Sequence, residues 1–126
     1  MANLSLLLVD DEKPLLALLT KYLQRLGYTV ETAETGQAAL DKCRQTPCPF
    51  QIVVLDLKLP DMSGRDMLPV LLDGAPDLRV LVSSGSVFSN ECVAPHLRHR
   101  VSSLLKPYMP KELLEALDAA SIQQGA

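Results

Sequence analysis

The sequence predicts an α/β fold: a doubly wound, three-layer parallel sheet built from five β-α units. Three observations carry this. Four short apolar runs rich in Val, Leu and Ile recur along the chain: Leu6–Val9, Ile52–Leu55, Val80–Val82 and, broken by serines, Val101–Leu105. They are continuous rather than alternating, the pattern of strands covered on both faces. Segments with apolar residues at helical spacing lie between them, so strands and helices alternate. With 126 residues the chain has the length of one domain, enough to bury roughly two-thirds of its unfolded surface.

The elements follow in order. Leu6–Val9 is the first strand. Leu15, Leu16, Leu19, Leu23 and Leu26 recur at helical spacing behind it, with Pro14 suited to a first helical turn and Gly27 to a stop. Tyr28–Ala33 carries Thr29, Glu31 and Thr32 and suits an edge strand. Ala38, Ala39, Leu40 and Cys43 mark a second helix, ended by Pro47-Cys48-Pro49. After Ile52–Leu55, the residues Met67, Leu68, Leu71 and Leu72 mark a third, closed by Gly74 and Pro76 and interrupted by Pro69, which removes one helical hydrogen bond. Val87–Leu97 is a poor helix with Pro95 inside it. Leu113, Leu114 and Leu117 mark the last helix, opening at Pro110 without a Ser, Thr, Asp or Asn before it. The domain is expected over residues 1–120, with 121–126 as a flexible tail.

Composition excludes several functions. Twelve basic against fifteen acidic residues give a net charge of −3, the wrong field for a charge-driven nucleic-acid binder. Aromatics are 4% and Trp is absent, so base-stacking platforms are not expected. Cys43, Cys48 and Cys92 form no CxxC pair; they read as small apolar residues, and a reduced cytoplasmic setting is expected. The run Leu4–Val9 stops at Asp10 and Asp11 without a basic leader, so neither a signal peptide nor membrane insertion is expected.

The polar residues at strand ends are the functional signal. Asp10 and Asp11 follow the first run, Asp56 the third, Ser83, Ser84 and Gly85 the fourth, and Lys106-Pro107 the fifth. In open parallel sheets the site lies beyond the carboxyl ends of the strands, where these groups converge. Three close carboxylates repel unless a cation or protons relieve them. Oxygen-only ligation favours a hard ion such as Mg2+. A carboxylate can also attack a phosphoryl group to give an aspartyl phosphate, with Lys106 and Ser84 on its equatorial oxygens. Ser83 reads as an ordinary turn hydroxyl, Pro95–Arg100 (PHLRHR) as a solvated basic turn in which His96 and His99 are unremarkable.

The segments LLLVDDE (Leu6–Glu12), VVLDLKLPDMSG (Val53–Gly64), LVSSG (Leu81–Gly85) and LLKPY (Leu104–Tyr108) resemble the receiver domains of response regulators in two-component signalling. LGYTVETAETGQAAL (Leu26–Leu40) and PKELLEAL (Pro110–Leu117) are less specific matches, and the resemblance covers essentially the whole chain. It implies a CheY-like, flavodoxin-like sheet of order 2-1-3-4-5, with Asp56 as phosphoacceptor. Asp10 and Asp11 become the acidic pair for Mg2+, Asp11 the direct ligand and Asp10 acting through water, with the backbone carbonyl of Lys58 as a further ligand. Ser84 and Lys106 take the hydroxyl and lysine positions, and Lys106–Pro107 is expected as a cis peptide. The position three before the lysine, usually aromatic and part of the switch, is Ser103, so the readout is expected to be atypical. The implied partners are a histidine kinase or histidine phosphotransfer protein and an output module or effector that the sequence does not identify. The implied action is self-phosphorylation and dephosphorylation rather than turnover of a metabolite. Two other readings are a Mg2+-dependent aspartyl phosphohydrolase, disfavoured because Lys58 stands where its second acid belongs, and a receiver-like interaction module that is never phosphorylated.

Overall fold

The computed structural model describes residues 4–45 and 47–124. Five parallel strands, β1 (Ser5–Val9), β2 (Thr29–Ala33), β3 (Ile52–Asp56), β4 (Arg79–Ser84) and β5 (Val101–Leu105), form one sheet of order β2-β1-β3-β4-β5. Helices α1 (Lys13–Arg25), α2 (Gly36–Cys43), α3 (Gly64–Gly74) and α4 (Pro110–Gln124) connect or follow them. The order reverses after β1, so β1 and β3 flank the switch point where parallel α/β sheets place their sites.

Continuous apolar runs become strands with two dry faces. Leu6, Leu8, Ile52, Val54 and Leu81 pack with Leu16, Leu19 and Leu23 of α1 and Leu113 and Leu117 of α4. The intervening residues, Leu7, Val9, Val53, Leu55, Val80 and Val82, face Leu40, Met67, Leu68 and Leu71 from α2 and α3. The alternation is the pleat of a strand read from both sides. Edge strand β2 alternates exposed and half-buried positions up to Ala33.

Local chemistry sets the ends. Gly27, with φ 97°, takes the left-handed conformation that stops a helix, which leaves Leu26 past the end of α1 and 41% exposed rather than in the core. Thr35 caps α2 through Oγ1, which accepts from Ala38 N at 3.1 Å. Ser63 caps α3, accepting from Arg65 N, and α3 runs through Pro69. Before Pro110, where the sequence offers no capping side chain, Glu112 reaches back: its Oε1 accepts from Met109 N at 2.9 Å. This is the reciprocal half of a capping box.

Two expectations require correction. The fourth crossover contains no α-helix; it consists of two 3-10 turns, Asn90–Cys92 and Pro95–Arg100. Ser, Asn, Cys and Val give this segment weak helix propensity, and Pro95 cannot supply an intrahelical N–H. The last helix runs to Gln124, into the stretch expected to be a tail; residues 125 and 126 lie outside the described residues.

Pro95–Arg100 is solvated as expected except at its last residue. Arg100 is buried, and its guanidinium donates to the carbonyls of Leu78 (2.9 Å), Leu72 (3.3 Å) and Ala75. It thus ties the last turn of α3, through Leu72 and Ala75, to Leu78 at the entry to β4. Arg98 Nε donates to Asn90 O and Val93 O, tying the two 3-10 turns together. His96 and His99 remain exposed. Cys43 is buried, Cys48 half-buried and Cys92 exposed, all as free thiols. Among the described residues no helix is long and apolar enough to cross a membrane.

Candidate functional site

Strands β1, β3, β4 and β5 end at a common rim, and the polar residues following them line one cavity. It has a volume of about 600 Å3 and is bordered by Asp11, Glu12, Asp56, Lys58, Ser84 and Lys106, among others. Asp10 lies beneath it, buried, with Oδ1 accepting from Glu12 N at 3.0 Å. That bond orients the carboxylate and turns the chain into α1. Asp11 is exposed at the mouth.

Asp56 closes β3 and is buried. Its Oδ1 accepts from Lys58 N at 3.1 Å, and its Oδ2 faces Lys106 Nζ at 3.4 Å. The turn behind it is held by Gly64 N donating to Leu57 O at 2.9 Å. A Cβ at Gly64 would come within 2.8 Å of both Asp56 O and Leu57 Cα. Only glycine therefore lets the start of α3 sit directly behind the end of β3. Asp61, in the same loop, accepts from Gly36 N (2.7 Å) and Gln37 N (2.9 Å) at the start of α2. The Gln37 and Gly36 bonds hold its carboxyl below the usual value.

Lys106 reaches across from the end of β5. Its Nζ lies 2.8 Å from Asp10 Oδ2, 3.4 Å from Asp56 Oδ2 and 4.0 Å from Glu12 Oε1. Burial alone would lower its pKa. The Asp10 hydrogen bond and the charges of Asp10 and Asp56 outweigh burial, and the ammonium titrates above its ordinary value. Its backbone N donates to Ser84 O at 2.7 Å, joining the ends of β4 and β5, and the Lys106–Pro107 peptide is cis.

Ser84 stands at the cavity as expected, whereas Ser83 does not take the turn role expected of it. Ser84 Oγ makes the turn bond, accepting from Ser86 N at 3.2 Å, and its side chain lines the cavity. Ser83 is not in a turn; it is buried in β4, and among the described residues its hydroxyl has no partner meeting hydrogen-bond geometry. Ser103 stands exposed on β5, paired with Val82.

Ligand atoms of Asp10, Asp11 and Asp56 all lie within 4.8 Å of one another. Four carboxylates, Asp10, Asp11, Glu12 and Asp56, face three cations, Lys58, Arg65 and Lys106, which leaves the rim with a small negative excess. The donor set is oxygen only, which suits a hard divalent cation such as Mg2+. The backbone amide of Lys58 is turned onto Asp56. The sequence reading missed two residues. Glu12 brings a fourth acid toward Lys106, and its adjacency to Asp10-Asp11 was the available signal. Arg65, the second residue of α3, lines the cavity through a turn that only the fold reveals.

The family model for the response regulator receiver domain matches residues 6–118. The photosynthetic apparatus regulatory protein RegA of Cereibacter sphaeroides is 35% identical over 116 residues, 92% of this chain and 62% of that protein. The transcriptional regulatory protein KdpE of Mycobacterium tuberculosis is 38% identical over 114 residues, 90% of this chain and 49% of that protein. The chain therefore spans about half to three-fifths of these curated relatives. Among solved structures, a CheY-like receiver domain protein from Methanospirillum hungatei superposes with a TM-score of 0.84 at 28% identity, covering 98% of this chain and 97% of the other. The non-phosphorylated HemR receiver domain of Leptospira biflexa superposes at 0.81 with 30% identity, covering 94% of both chains.

Proposed function

The chain belongs to the response regulator receiver domain family, and from that premise we propose that Asp56 accepts a phosphoryl group from a phosphohistidine. The supporting observation is a buried carboxylate at the end of β3 with one oxygen held by Lys58 N and the other facing Lys106. The Asp56 oxygen attacks phosphorus; the O–P bond forms, the N–P bond to the donor imidazole breaks, and the leaving nitrogen takes up a proton.

The residues that would hold Mg2+ are Asp10, Asp11, Asp56 and the Lys58 backbone carbonyl. When bound, the ion supplies positive charge to the equatorial oxygens of the transferred group. The chain's own residues do the rest. Lys106 balances Asp10 and Asp56 before transfer and pairs with a phosphoryl oxygen after it. Because Ser84 Oγ accepts from Ser86 N, its O–H is free to donate to another. Repositioning Lys106 and Ser84 pulls on the ends of β4 and β5, which the Lys106 N to Ser84 O bond joins. That local change biases a two-state equilibrium. With Ser103 in the usual aromatic position, the switch at β5 works without a large side chain.

The partners are a histidine kinase or histidine phosphotransfer protein upstream and an effector or attached output module downstream, in the cytoplasm. The domain catalyses only its own phosphorylation and dephosphorylation. Incubation with acetyl phosphate and Mg2+, followed by intact-mass analysis, tests this. One labile phosphoryl adduct is expected, absent with EDTA and absent in Asp56→Asn. No adduct from any donor, a cognate kinase included, overturns the reading.

A further inference from the structure

We propose that Arg65 is a conditional ligand of the phosphoryl group: it rests on the Phe88 ring while Asp56 is free and transfers to the phosphoryl oxygens once Asp56 is modified, releasing Phe88. This rests on the reading of Asp56 as the phosphoacceptor. Arg65 lines the same cavity as Asp56, Lys58, Ser84 and Lys106. Its guanidinium carbon lies 5.4 Å from the centroid of Phe88, within range of a cation–π contact. Among the described residues, no ion pair to a carboxylate holds that guanidinium.

The occupancy of Asp56 explains why Arg65 stays away. Both carboxylate oxygens face groups already present, Lys58 N on one side and Lys106 on the other. An attached phosphoryl group adds negative charge and fresh acceptor oxygens, and a guanidinium is suited to two such oxygens at once. An exposed ring contact is the weaker alternative. The contact therefore holds against a carboxylate whose needs are met and yields to a phosphoryl group.

Phe88 is placed to transmit the exchange. It lies four residues after Ser84, half-buried against the α2–α3 side of the core, and it leads directly into the first 3-10 turn. The intervening Gly85-Ser86-Val87 carries no helix or strand; Gly85 faces open space and Val87 is 86% exposed. A ring freed at this point moves a segment that no α-helix stiffens, and it does so in a chain whose β5 position is Ser103.

Beryllofluoride with Mg2+ serves as the phosphoryl mimic, with apparent affinity read from the Ser84 amide resonance and release from the Phe88 ring resonances. In the unaltered chain both respond together. Arg65→Gln is expected to bind about three- to tenfold more weakly and to lose the ring response. Phe88→Leu removes the competing site and is expected to bind about two- to fivefold more tightly. The double variant is expected to match Arg65→Gln, because Phe88 acts on affinity only through Arg65. Arg65→Gln affinity within twofold of the unaltered chain, or an unchanged ring response with Ser84 still responding, overturns the proposal and leaves Asp56 as acceptor. No Ser84 response in the unaltered chain overturns both.

Discussion

Lys106→Met removes the ammonium and keeps most of the side-chain volume, so it isolates the charge that joins Asp10 to Asp56. The side chains of Lys106, Asp10 and Asp56 are 19%, 7% and 9% exposed, at 2.8 and 3.4 Å. At an effective dielectric of about 20 these contacts correspond to roughly 6 and 5 kcal/mol of attraction. The desolvation of Lys106, recovered on its removal, offsets much of that. A net destabilisation of about 3 kcal/mol results, at the lower end for a broken buried pair. For a chain of 126 residues, unfolding entropy of about 0.26 kcal/mol/K turns this into a fall in Tm of roughly 11 °C. The assay is thermal melting at neutral pH in EDTA, then with Mg2+. Mg2+ is expected to raise the Tm of the variant more than that of the unaltered chain, since the ammonium no longer competes for the same carboxylates. A fall below about 3 °C in EDTA, or equal Mg2+ increments, would refute the reasoning.

Three further outcomes follow from the geometry. Arg100→Met takes the guanidinium from the carbonyls of Leu72, Leu78 and Ala75, of which Ala75 O keeps the bond from Leu78 N; it should cost about 3 kcal/mol, measured as a lower urea midpoint at constant m. Gly64→Ala forces backbone apart behind Asp56 and should cost about 2 kcal/mol and slow phosphorylation, whereas at Gly36 the obstruction is the flexible Met62 side chain and alanine should cost less. Asp61 is depressed in the folded state by the Gln37 and Gly36 N–H groups. Its contribution is present above the unfolded carboxyl value of about 3.9 and is lost as pH falls through the lower folded one. Asp61→Asn should therefore show a shallower loss of stability on acidification, followed by circular dichroism across that range.

What the sequence made legible was set by burial on two faces. Leu6–Val9 and Ile52–Leu55 had to be continuous to face helices on both sides, and that same continuity made Asp10 and Asp56 conspicuous where the runs stop. Arg100 was invisible because its partners are backbone carbonyls, which leave no mark in the residue pattern. Asp61 was equally silent, since it serves a helix start 25 residues earlier. Glu112 did carry a signal: an acid three residues after Met109 can cap a helix in place of a side chain at the cap itself. Ser83 and Ser84 could not be told apart by spacing alone. One residue of strand length decides which hydroxyl is buried in β4 and which reaches the cavity.

The central assignment is chemical and local: one carboxylate among four clustered acids carries the phosphoryl group. Borohydride reduction of the phosphorylated chain, followed by peptide mapping, reads this directly, because an acyl phosphate on aspartate is reduced to homoserine. Homoserine at position 56, and not at 10, 11 or 12, is the predicted result. Homoserine at Asp10 or Asp11, or a phosphorylated chain with none at all, would contradict it.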